Sequence, residues 1–136
     1  MSPRGRPGVP SWLSSLNVAM SLLFLVFAGV QYNDPDPLLW TSVYAAAAVL
    51  SFCAVRSSWA LRSSLWAALG AGAWALVLLW MGISANGLPA VLAGEDMSSP
   101  GVEELRESGG LLIVACWLMC LDRLVARPSL HGEPSP

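Results

Sequence analysis

Lysine is absent from this chain, and charge of either sign is scarce. All seven basic residues are arginine, and only 12% of the 136 residues are charged. The formal net charge is −2 and the isoelectric point lies near 5.2. No basic patch exists to hold phosphates, which argues against a nucleic-acid partner. Histidine occurs once, at His131 near the C-terminus, and nothing around it suggests a role. No Ser, His or Cys triad accompanies the acidic residues. Cysteine is also sparse: Cys53, Cys116 and Cys120. An odd number gives no closed disulfide framework. Cys116 and Cys120 are four apart and share a helix face, but without histidine or further cysteine they make a poor metal site. All three read as small buried hydrophobes.

Apolar sequence is what the chain has in quantity. It is 55% hydrophobic, with a mean hydropathy of +0.59. A soluble domain of this length cannot hide that much apolar surface. The apolar residues gather into four stretches, roughly 12–30, 38–55, 65–84 and 110–125. A bilayer core about 30 Å thick takes about 20 helical residues to cross. Backbone polar groups within it must be satisfied inside the segment, so the stretches are expected to be helices. The expected fold is all-α, an integral membrane bundle of four transmembrane helices over residues 11–127. Residues 1–10 and 128–136 are rich in Pro, Gly and Ser and are expected to form disordered cytoplasmic ends. The first stretch exceeds the usual apolar core of a signal peptide, and no clear small-x-small cleavage site follows it. An uncleaved span is expected.

Arginine placement sets the expected orientation. Arg4, Arg6, Arg56, Arg62, Arg123 and Arg127 map to one side and only Arg106 to the other. Cytoplasmic segments carry the arginine excess, so both termini are expected in the cytoplasm of a multi-pass protein. The membrane is a bacterial inner membrane or a eukaryotic cell membrane. The partners expected are the lipid bilayer and either a second copy of the chain or another membrane protein.

Small residues point to close helix packing. Ala45–Ala48 in the second stretch and Gly70-Ala71-Gly72-Ala73 in the third predict a tight pair. Ser14, Asn17 and Ser21 predict interhelical hydrogen bonds from the first. Trp12, Trp40, Trp59 and Trp80 fall near stretch ends, as interfacial anchors do. Trp66, Trp74 and Trp117 lie deeper and are expected to pack between helices. In the connection 85–108, Leu88 to Ala93 reads as a short turn or helix on the membrane surface.

Two polar motifs emerge on the same side of the membrane if all four stretches span. In Asn33-Asp34-Pro35-Asp36-Pro37, Asp36 reads as the N-cap of the second helix and Pro37 as its first residue. Asp34, before Pro35, is pushed to an extended conformation. The motif supplies more polar groups than a cap needs. The second motif, Glu103-Glu104-Leu105-Arg106-Glu107, reads as the start of a helix from about Gly101 to Val125, with acids at its positive end. Glu103, Arg106, Glu107 and Gly110 share a face, and Gly109-Gly110 would let another helix approach. Arg106 is the natural partner of Asp34 or Asp36, or of Glu103 or Glu107. Oxygen-rich clusters favour Ca²⁺ or Mg²⁺ over zinc, with Asp34, Asp36 and Glu107 as the metal candidates.

Gln31-Tyr32-Asn33-Asp34-Pro35-Asp36, then Trp40 and Tyr44, then Glu103-Glu104-x-Arg106-Glu107-x-x-Gly110-Leu111 resembles the transmembrane protein 220 family. The resemblance implies a small polytopic fold and singles out Asn33, Asp34, Asp36, Trp40, Tyr44, Glu104, Arg106 and Glu107. It implies no particular reaction. Three functions remain open. The polar cluster binds a divalent cation or small polar ligand, or it only locks helix ends in a structural or assembly subunit. In the third reading, a carboxylate acts as general base in an intramembrane enzyme working on a lipid head group.

Overall fold

A computed structural model describes residues 9–95, 99 and 101–126. The expected disordered ends therefore fall almost wholly outside the described residues, as do Arg4, Arg6, Arg127 and His131. The described chain is helical, without strands. In order come α1 (Ser11–Val30), a 3-10 turn (Gln31–Asn33), α2 (Pro37–Ala54), α3 (Ser58–Ser84), α4 (Gly87–Leu92) and α5 (Val102–Ala126). Four helices, α1, α2, α3 and α5, are long and apolar enough to cross a membrane. At 1.5 Å per residue, the 27 residues of α3 extend about 40 Å, well beyond a bilayer core. It begins at Ser58, seven residues before the apolar stretch does, because Arg62 and the serines around it are compatible with helix. Likewise α5 runs back through its charged first turns to Val102.

Large apolar side chains cover the outside of these helices. Leu22, Val49, Trp66, Leu76 and Trp80 are each more than half exposed. Such a surface suits lipid and would be an aggregation hazard in water. Small residues make up much of the buried faces of α2 and α3, with Ala47, Ala48, Ser51, Ala54, Ala60, Ser64, Ala68 and Ala75 all buried.

The described residues fall into two compact units. One holds residues up to Arg62 together with those from Cys120; the other is Ser63–Met119. In the first, α1 and α2 form an antiparallel pair. The buried stripe of α1 is Leu13, Asn17, Ser21, Phe24 and Ala28, at helical spacing. Asn17 Nδ2 donates to the Ser51 carbonyl at 2.8 Å. Nearer the turn, eleven residues on along α1 and ten back along α2, Thr41 Oγ1 donates to the Ala28 carbonyl at 3.2 Å. The Phe27 and Tyr44 rings meet edge-on with centroids 5.5 Å apart. These contacts set one register along the pair. Ser21 departs from expectation: its hydroxyl donates to the Asn17 carbonyl of its own helix at 2.8 Å. A serine hydroxyl reaches that carbonyl, one turn back, without any partner helix.

In the second unit the close backbone approach lies at three glycines, none of which the sequence marks as a point of contact. A Cβ on Gly82 would come within 2.7 Å of Leu105 and 3.0 Å of the Gly101 carbonyl oxygen. One on Gly87 would run into the Gly101 backbone, and one on Gly101 would lie 2.7 Å from the Gly82 carbonyl oxygen. Gly101 also has φ +84°, the left-handed region that glycine adopts freely. The end of α3, the start of α4 and the entry to α5 thus meet backbone to backbone. Asn86, at φ 58°, makes the sharp link from α3 to α4, a conformation asparagine tolerates better than most residues.

Several expectations are corrected. A Cβ on Gly70 or Gly109 would meet nothing within 4 Å, and one on Gly72 would make ordinary contact with Ala115 at 3.7 Å. Gly70 and Gly109 are therefore not points of close helix approach. Trp40 is 2% exposed rather than an interfacial anchor, and Trp66 is 74% exposed rather than packed between helices. Cys116 and Cys120 are exposed and Cys53 is half-buried, so none is a buried hydrophobe. These errors share a cause. On a helix apolar all round, depth along the sequence does not reveal which way a side chain points.

Candidate functional site

The first polar segment is built by local chain geometry. The 3-10 turn ends with the Asp34 N–H donating to the Gln31 carbonyl at 3.0 Å. Asp34 is extended, with φ −74° and ψ 151°, as the following Pro35 requires. Its Oδ1 accepts the Asp36 N–H at 3.1 Å. Pro37 is the first residue of α2, after Asp36 in the cap position, but no side-chain capping bond forms there. The two aspartates thus differ from the expected arrangement. Asp34, not Asp36, turns its carboxylate onto the backbone, and the Asp36 carboxylate is left exposed. Asn33 is exposed and Asp34 half-buried. One and two turns into α2, Trp40 and Tyr44 are buried with ring centroids 6.3 Å apart, and they stiffen the helix start beneath the turn.

The second segment is the first two turns of α5. Glu103 and Glu104 occupy its first turn, where unsatisfied N–H groups favour negative charge. Val102 N–H donates to the Ser99 carbonyl at 3.1 Å, and Leu105 N–H to the Gly101 carbonyl at 3.2 Å. The helix therefore starts directly from the glycine junction. Glu103, Glu104 and Glu107 are half-buried, whereas Arg106 is exposed. Farther along α5, Ser108, Leu111, Val114, Ala115 and Leu118 are buried. Glu104 and Glu107 precede these at i+3 and i+4 spacing, so they continue the inward stripe. Arg106 lies off that stripe, which is why its guanidinium is turned outward. Ser108 Oγ donates to the Leu105 carbonyl at 2.8 Å.

Sequence reasoning missed the junction of Gly82, Gly87 and Gly101. Its one legible signal was Gly101 immediately before a helix start. The polarity of Asn17 was noticed, but not its setting. It is fully buried, and its Oδ1 accepts no hydrogen bond among the described residues.

Four spanning-length helices, with the charged residues that the structure describes gathered toward their connections and ends, define a polytopic α-helical membrane protein. A family model described as transmembrane family 220, helix, matches residues 23–122, and the chain belongs to that family. The match runs from α1 to α5 and takes in both polar segments. No solved structure matches the chain.

Proposed function

We propose that the protein is a membrane binding protein whose two polar segments together hold a divalent cation, Ca²⁺ or Mg²⁺, or a small polar ligand at the outer membrane face. Asp34, Glu103 and Glu107 are the ligating carboxylates in this reading. Its main support is that all three are half-buried, as is Glu104 beside them, in a chain where only 12% of residues are charged. Hard oxygen donors suit Ca²⁺ and Mg²⁺. Two spans separate the segments, so they share a side of the membrane if every span crosses. The arginine bias makes that side the exterior, with both termini cytoplasmic.

The test is thermal unfolding of the full chain in detergent, with and without Ca²⁺ or Mg²⁺. A cation at 100 times its dissociation constant stabilises by about 2.7 kcal/mol. Asp34→Asn and Glu107→Gln should unfold near the wild-type temperature without cation and lose the cation-dependent rise. The competing structural reading rests on the Asp34–Asp36 contact, which satisfies the turn internally. It predicts instead that both variants are destabilised and that no cation shifts the wild type.

A further inference from the structure

A groove of about 290 Å³ runs along the α1–α2 pair. Val18, Leu22 and Leu25 of α1 and Val49 and Phe52 of α2 line it, and each is 40% exposed or more. Its one hydroxyl, Ser21, already donates to the Asn17 carbonyl. Inside a membrane such a groove suits an alkyl chain and offers little to a polar ligand.

One end of the groove carries a positioned cation. The Arg56 guanidinium lies 4.2 Å from the centre of the Phe52 ring, the same ring that lines the groove. Arg56 Nη1 donates to the Phe52 carbonyl at 2.8 Å, which closes the end of α2. A guanidinium has five N–H donors, and Arg56 is exposed, so the remaining donors stay available. The α1–α2 register sets Arg56 level with Trp12, which is 57% exposed. An exposed tryptophan and an arginine at the same level mark a membrane–water interface. The acidic turn at Asn33–Asp36 joins the other end of the same pair, so the groove is independent of the proposed cation site.

We propose that this groove binds an anionic phospholipid, one acyl chain lying between α1 and α2 and the phosphate on Arg56. Charge selects the occupant. A zwitterionic lipid offers the same chain without net negative charge, and a second protein helix would have no need of the cation. Arginine suits a phosphate because its planar fork can donate two parallel hydrogen bonds.

The experiment is native mass spectrometry of the full chain, released from detergent with added phosphatidylglycerol or phosphatidylcholine of identical acyl chains. Wild-type protein should retain phosphatidylglycerol about fivefold over phosphatidylcholine, the effect of one basic residue at a membrane surface. Arg56→Gln should retain the two equally, and Arg56→Lys should keep most of the preference. Leu22→Trp, which fills the groove from a lipid-exposed position, should lower retention of both lipids. Equal retention of the two lipids by wild type would overturn the proposal. So would an undiminished preference in Arg56→Gln, or wild-type retention of both lipids in Leu22→Trp. A dimer that takes up neither lipid would assign the groove to a second copy of the chain and overturn it as well.

Discussion

Asn17 is fully buried, yet only one side of its amide is used. Nδ2 bonds the Ser51 carbonyl, while Oδ1 accepts nothing among the described residues. An interhelical hydrogen bond in a membrane contributes about 0.6 kcal/mol on average, and an unsatisfied buried acceptor costs about 1–3 kcal/mol. The two effects oppose each other, and the second is the larger. Asn17→Leu, close in size and apolar, is therefore expected to leave stability unchanged or raise it by about 1 kcal/mol. Unfolding by SDS titration from mixed micelles measures this. A loss of several kcal/mol would show that Oδ1 holds a partner that matters. The polarity of Asn17 was legible in the sequence, but the imbalance of its bonds was not. It depends on which carbonyl of α2 lies opposite, and that follows from the register of two helices.

At the scale of elements, helix ends were legible and helix faces were not. Pro37 at the start of α2 and the acidic first turn of α5 are local signals, and both appear where the residues predict them. The extended Asp34 follows equally from its neighbour, Pro35. Rotation about the helix axis is a different matter. On α3 apolar residues surround the helix, so Gly70 looked like a contact point although a Cβ there meets open space. The Gly82–Gly87–Gly101 junction joins residues nearly twenty apart, and no local pattern announces such an approach. Opposite outcomes follow for the two classes of glycine. Gly101→Ala should destabilise by about 2–4 kcal/mol, combining a left-handed backbone with overpacking. Gly70→Ala should be neutral or stabilise by about 0.5–1 kcal/mol, because alanine is the better helix residue. The same SDS titration separates them. Equal effects at both positions would contradict the contact geometry.

For the whole molecule, membrane character was the most legible property because it depends on composition and run length rather than on packing. Four spanning-length helices bear it out. The candidate site was legible only as residue types. Its segments could be picked out by their polarity, but the half-burial of Glu104 and Glu107 and the outward turn of Arg106 follow from the phase of α5. Reporter fusions test the orientation: a C-terminal fusion should report cytoplasm, and a tag at Met97 should be reachable from outside. A tag at Met97 shielded on the cytoplasmic side would place the acidic segments on the inner face. Cation binding by the carboxylates is the central claim. Isothermal titration of Ca²⁺, then Mg²⁺, into the detergent-solubilised full chain answers this directly. Wild type is expected to bind at least one of the two ions saturably, and Asp34→Asn and Glu107→Gln are each expected to lose that binding. No saturable binding of either ion, or binding unchanged in both variants, would contradict it.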